Sequence, residues 1–104
     1  MAALTVLLLV FIQATIAQER RVLVFSKTKG WRHTSIPFGK EAIKKLGQEH
    51  GFGVDISESS EDFTDTNLKK YAAVIFNCTT GNILNNEQQA AFERYIQAGG
   101  GYVG

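Results

Sequence analysis

The chain has 104 residues, 44% of them hydrophobic, with 11 Lys+Arg against 10 Asp+Glu. That length permits one domain at most, and the ordinary apolar content excludes a disordered or fibrous chain. A formal net charge of +1 excludes a strongly basic nucleic-acid binder. One cysteine excludes an internal disulfide framework and a multi-cysteine zinc module, and two histidines leave too few ligands for an all-histidine metal site.

Residues 1–17 are set apart from the rest. Ala2 to Ile12 is apolar apart from Thr5, and no charged residue precedes Glu19. The run is short for a membrane span and suits the centre of a secretory signal peptide, although no Lys or Arg stands before it. Thr15 and Ala17 are small residues where a signal peptidase reads, which places cleavage after Ala17. The expectation is an exported protein with no stable membrane association once the signal is removed. A buried N-terminal helix or an uncleaved anchor is the alternative.

Residues 18–104 read as alternating strands and helices. Arg21 to Ser26 is a β-rich apolar run, the pattern of a strand covered on both faces. Thr34 or Ser35 can cap a helix with Pro37 in its first turn and Ala42, Ile43 and Leu46 as its apolar stripe. Lys40, Lys44 and Lys45 would then face water. Gly51 and Gly53 end the helix, and Val54 and Ile56 mark a second strand. Glu58, Glu61, Asp62 and Asp65 read as an exposed acidic loop, followed by one or two helical turns within Asp65 to Lys70. Ala72 to Asn77 is a third strand. Asn85 and Gln88 form a capping box for a helix with Ala91, Phe92, Tyr95 and Ile96 on its core side. Gly99 stops that helix, and Tyr102-Val103 opens a fourth strand. Because the sequence reaches only the start of that strand, these residues are expected to be the N-terminal part of a longer α/β domain.

In an open parallel α/β sheet, ligands bind beyond the carboxyl ends of the strands. Two loops qualify, Lys27 to Ser35 and Asn77 to Leu84. In the first, Trp31 offers a flat face for a sugar ring or base, Arg32 a fork of donors, and His33 an acid or base near neutral pH. The bland reading has Trp31 covering the sheet end, Arg32 paired with a carboxylate and His33 capping a helix. In the second, Asn77, Thr79 and Thr80 can bond hydroxyl groups. Cys78 lacks a basic sequence neighbour to lower its pKa, which favours a small buried residue over a nucleophile. Asn77-Cys78-Thr79 fits a glycosylation sequon, but the end of a buried strand is a poor acceptor. Gly99-Gly100-Gly101 follows a helix and so lacks the context of a dinucleotide fingerprint. The acidic loop could hold a cation, although an ordinary exposed loop fits it better. No cofactor is indicated.

The stretch V-L-V-F-S-K-T-K-G-W-R-H-T-S-I, Val22 to Ile36, resembles the opening of the trehalose-utilisation (ThuA-like) domain, with its aromatic-Arg-His triplet and Ser-Ile pair. The resemblance runs on through Leu68 to Tyr71, Phe76-Asn77, Leu84 to Ile96 and Gly99 to Gly104. It implies a flavodoxin-like parallel sheet with flanking helices, similar to class I glutamine amidotransferases, cut at the start of the fourth strand. It also implies a link to sugar metabolism, with exported bacterial members common. In that family a later loop carries a further histidine, and true amidotransferases place their nucleophilic cysteine later than Cys78. Only Arg32 and His33 fall on the first family motif. Lys27, Trp31, Asn77 and Thr79 are added from their place in the two loops, so the expected site has His33 as catalytic residue and Trp31, Arg32, Lys27, Asn77 and Thr79 as substrate-binding residues, with no metal. The expected partner is a small-molecule carbohydrate, a trehalose-like disaccharide or derived sugar, rather than nucleic acid. A non-catalytic carbohydrate-binding module and an amidotransferase-like hydrolase are the alternatives.

Overall fold

The computed structural model describes residues 19–104, so the expected signal peptide lies outside the described residues. The elements run β1 (Arg21–Phe25), α1 (Ile36–His50), β2 (Gly53–Ser57), a 3₁₀ turn (Ser60–Asp62), α2 (Asp65–Leu68), β3 (Ala73–Phe76), α3 (Asn86–Gln97) and β4 (Gly101–Val103). The four strands form one sheet in the order β2-β1-β3-β4. All pairs are parallel, with Leu23 between Asp55 and Val74, and Val74 beside Tyr102. This is the flavodoxin-like arrangement of a parallel sheet with helices.

The alternation within β1 explains its double burial. Leu23 and Phe25 point to the face covered by α2 and α3, where they join Phe63, Leu68, Val74 and Ala91 in the core. Phe76, Phe92 and Tyr95 pack against that cluster. Phe25, Phe63, Phe76 and Phe92 meet largely edge to face, with ring centroids 4.8–5.9 Å apart, the geometry that brings positive ring edges to negative faces. Val24 points the other way, and both it and Ile36 of α1 are fully buried. A buried residue of this kind contributes about 1.5–3 kcal/mol through its apolar surface alone.

Several expectations need correction. Residues 58–65 are not simply an exposed acidic loop. Phe63 is buried in the core, the Ser60 hydroxyl donates to the Ile83 carbonyl, and Asp65 takes a two-point contact from Arg94. The apolar character of one aromatic outweighs the charges around it, because the charges reach water or partners while the ring fills the sheet end. In α1, Leu46 is exposed and Ala42 faces solvent. The helix meets β2 through Gly47, whose missing Cβ admits the Phe52 carbonyl and the Val54 side chain, and this rotation carries Leu46 outward. Ser35 stands at the N-cap of α1 without capping it. Its φ of −76° and ψ of −10° are already helical, and a capping hydroxyl needs the extended backbone that aims it at the free amides.

The other boundaries are as the sequence indicates. Asn85 accepts from the Gln88 amide while the Gln88 side chain accepts from the Asn85 amide, a complete capping box. Gly51 ends α1 in the left-handed region at φ 76°. Ile96, expected in the core stripe of α3, is partly exposed, whereas Ala91, Phe92 and Tyr95 face the sheet.

Candidate functional site

The strand order reverses between β1 and β3, because the chain leaves β1 toward β2 on one side and leaves β3 toward β4 on the other. The loops beyond these two strands therefore flank a crevice, the usual ligand position in such sheets. Here they are fastened to each other. Thr28 and Thr80 form a parallel bridge, the Lys29 amide donates to the Thr80 carbonyl at 2.9 Å, and the Thr80 hydroxyl donates to the Trp31 carbonyl at 2.6 Å. The Ser35 hydroxyl and the Cys78 thiol lie 3.6 Å apart.

Asn77 lies beneath this junction. Its amide nitrogen donates to the Ser26 hydroxyl at 3.2 Å and to the Ile36 carbonyl at 3.1 Å. Both hydrogens are thus used to hold β3 against the end of β1 and the start of α1. Its amide also occupies the space that a side chain at Gly39 would need. Cys78 follows with φ 56°, a left-handed conformation uncommon outside glycine, and is half-buried rather than fully enclosed. Thr79 is half-buried in the same loop.

Trp31 does not cover the sheet end. It is 72% exposed, although its carbonyl is pinned by Thr80. The exposed His33 ring lies edge-on to it, with centroids 6.4 Å apart and planes at 86°. The intervening Arg32 turns to the loop after β2, where its two terminal nitrogens donate to the two Glu58 oxygens at 2.6 and 2.9 Å. The Lys40 ammonium reaches the same carboxylate at 2.8 Å. The hydrogen bonds from Arg32, and then those from Lys40, hold the Glu58 carboxyl at about 2. Lys40 was expected to face water and instead has a side chain only 20% exposed, because α1 begins beside the loop that presents Glu58.

Behind Glu58 a polar groove of about 760 Å³ opens between the loops after β1, β2 and β3. Lys27 and Lys29 line it from the first, Glu58, Ser60 and Glu61 from the second, and Asn82 from the third. The rim therefore has two parts: a shelf carrying Trp31 and His33, and a groove reached by Lys27. The Arg32–Glu58 pair belongs to both, since Arg32 sits between the shelf residues and Glu58 lines the groove. The structure gathers the loops bearing Trp31, Arg32, His33, Lys27 and Thr79 at one rim, while the Asn77 amide is turned into the scaffold. Sequence reasoning did not single out Glu58 as a partner of Arg32 or Thr80 as the clasp. Adjacency of β1 and β2 is the signal that places Glu58 near Arg32. Among the described residues there is no group of three or more His, Cys, Asp or Glu side chains suited to a metal ion. No described helix is long and apolar enough to cross a membrane.

Comparison with known proteins agrees with this architecture. A crystal structure of a ThuA-like protein from Bacteroides uniformis is 26% identical in sequence and superposes with a TM-score of 0.64. The match covers 86% of this chain and 37% of that one, so the chain spans well under half the length of this relative. No curated protein matches the sequence significantly. The ThuA family model, described as trehalose utilisation, matches residues 21–104, and with nearly every described residue inside that match the chain belongs to the ThuA family.

Proposed function

We propose that the rim formed by the loops after β1 and β3 binds a carbohydrate, with a trehalose-like disaccharide or derived sugar as the ligand, and that in the whole protein it processes that sugar. The observation that carries this reading is an exposed indole on a fastened backbone. A ring 72% in water contributes little to folding, yet its carbonyl is bonded to Thr80, which limits the entropy lost when a sugar stacks on it. Beside it His33 is placed to move a proton to or from a hydroxyl. Lys27 and Thr79 supply hydrogen bonds to hydroxyl groups. Arg32 serves through Glu58, fixing one wall between shelf and groove, and Asn77 serves as a support of both loops.

Trp31 is the single tryptophan of the chain, so its fluorescence reports the site directly. Titration with trehalose is expected to shift that emission and to give a calorimetric binding signal. Trp31→Ala and Arg32→Ala should abolish the calorimetric signal, and His33→Ala should weaken it. Titrations unchanged in all three variants would defeat the proposal.

Two other readings have specific support. A non-catalytic binding module would keep the titration and show no turnover in the whole protein; the exposed position of His33, which forms no ion pair among the described residues, favours it. A cysteine hydrolase would use Cys78, which takes a left-handed backbone two residues after β3. Among the described residues, however, its thiol meets the Ser35 hydroxyl and hydrogen-bonds no base. Activity of the whole protein unaffected by thiol alkylation would remove that reading. Export rests on residues 1–17 and is tested by N-terminal sequencing of the secreted protein, which should begin at Gln18.

A further inference from the structure

We infer that the groove selects a sugar bearing an anionic group, a carboxylate or a phosphate, over a neutral sugar. This rests on the carbohydrate reading above and specifies its substrate class. Around the groove and its Glu58 wall stand four cations, Lys27, Lys29, Arg32 and Lys40, against two carboxylates, Glu58 and Glu61. The remainder of the chain has more carboxylates than cations, so the positive charge of a nearly neutral protein is concentrated at this rim.

The pairing makes the imbalance local. Glu58 already holds two cations, Arg32 through both oxygens and Lys40 through one, so its charge is more than cancelled before it faces the groove. Neither Lys27 nor Lys29 forms an ion pair among the described residues, and residues 1–18 contain no Asp or Glu. The lysines nevertheless line a concave, polar surface rather than a convex one, where low-dielectric walls concentrate their field. Lys27 is also half-buried where it lines the groove. A hydroxyl of a neutral sugar would leave both ammoniums uncompensated. A carboxylate or phosphate would accept from both through charge-assisted bonds.

The test is calorimetry of the whole chain against three probes: trehalose, glucuronate and glucose 6-phosphate, at low and at physiological salt. The proposal expects one of the two charged sugars to bind at least about tenfold more tightly than trehalose, with affinity falling as salt is raised. Preference for glucuronate identifies a carboxylate ligand, and preference for glucose 6-phosphate a phosphate ligand. Lys27→Gln with Lys29→Gln should reduce that preference to about parity. Equal affinity for all three probes, insensitive to salt and to the lysine substitutions, would overturn the charge selection and leave the carbohydrate reading standing. Absence of binding to all three would overturn both.

Discussion

Arg32 and Glu58 meet across the gap between the loops that follow β1 and β2, their paired nitrogens and oxygens 2.6 and 2.9 Å apart. The pair joins two loops that no backbone ladder connects. It also commits a guanidinium that the sequence offers as a direct ligand for sugar hydroxyls.

Acid stability should report this pair. The Glu58 carboxyl is lowered from an ordinary 4.5 to about 2, first by Arg32 and then by Lys40. A depressed folded-state value stabilises the fold above the unfolded value, and that stability is lost as pH falls from about 4.5 through 2. With the Glu58 side chain 37% exposed, solvent screening limits the contribution to about 1 kcal/mol. Glu58→Gln should therefore lower the urea midpoint at pH 7 and flatten the decline between pH 4.5 and 2. Some slope should persist, because Asp55 is also held below its usual range by its bonds from Arg21 and Tyr71. An identical acid profile in wild type and variant would show that the pair contributes no stability.

Removing the Asn77 amide should damage the fold before it damages any ligand contact. Asn77→Ala leaves the fully buried Ser26 hydroxyl and the Ile36 carbonyl without their shared donor. The expected loss is about 1–3 kcal/mol in chemical denaturation. Asn77→Asp is isosteric and should cost at least as much, since it sets a carboxylate against a carbonyl. If either variant matches wild-type stability, the amide is not the support described.

Thr80→Val keeps the shape of the clasp and deletes its hydroxyl. The bond to the Trp31 carbonyl disappears, while the backbone bridge between Thr28 and Thr80 remains. Stability should fall by about 0.5–1.5 kcal/mol, and the fluorescence anisotropy of Trp31 should decrease as its loop loosens. Trp31→Phe is the control: a largely exposed ring should change stability by no more than about 0.5 kcal/mol. Unchanged anisotropy in Thr80→Val would mean that the backbone bridge alone holds the indole.

Periodicity and capping made most of the fold readable. The run Arg21 to Ser26 carried the pattern of a strand covered on both faces, and Asn85 with Gln88 marked the start of α3 through local hydrogen bonds that need no tertiary information. Phe63 was hidden because its neighbours are charged and its burial depends on where the sheet ends, a long-range fact. Leu46 misled for the converse reason: helical spacing identifies an apolar face but not how a helix rotates upon its sheet. At the candidate site, the rule that ligands bind beyond the carboxyl ends of parallel strands picked out the loop bearing Trp31, Arg32 and His33. The partners of those residues come from positions 58 and 80, where spacing along the chain says nothing about contact.

Gly47 sets that rotation of α1, and its substitution opposes two effects of known sign. Alanine at a helix interior position favours the helix by about 1 kcal/mol over glycine. A Cβ at position 47 would lie 2.7 Å from the Phe52 carbonyl oxygen and 2.8 Å from the Val54 side chain. The carbonyl is backbone in the turn from α1 to β2, where the amides of Gly51 and Phe52 both bond the Gly47 carbonyl at 2.8 and 3.0 Å, so it has little room to withdraw. Overpacking of this kind costs about 1–3 kcal/mol, which exceeds the gain in propensity. Gly47→Ala should lower the melting temperature by several degrees, since a domain of this size shifts by about 4–8 °C per kcal/mol. A melting temperature equal to or above wild type would mean that α1 can slide off β2 without loss, and the contact through Gly47 would then not be what turns Leu46 toward water.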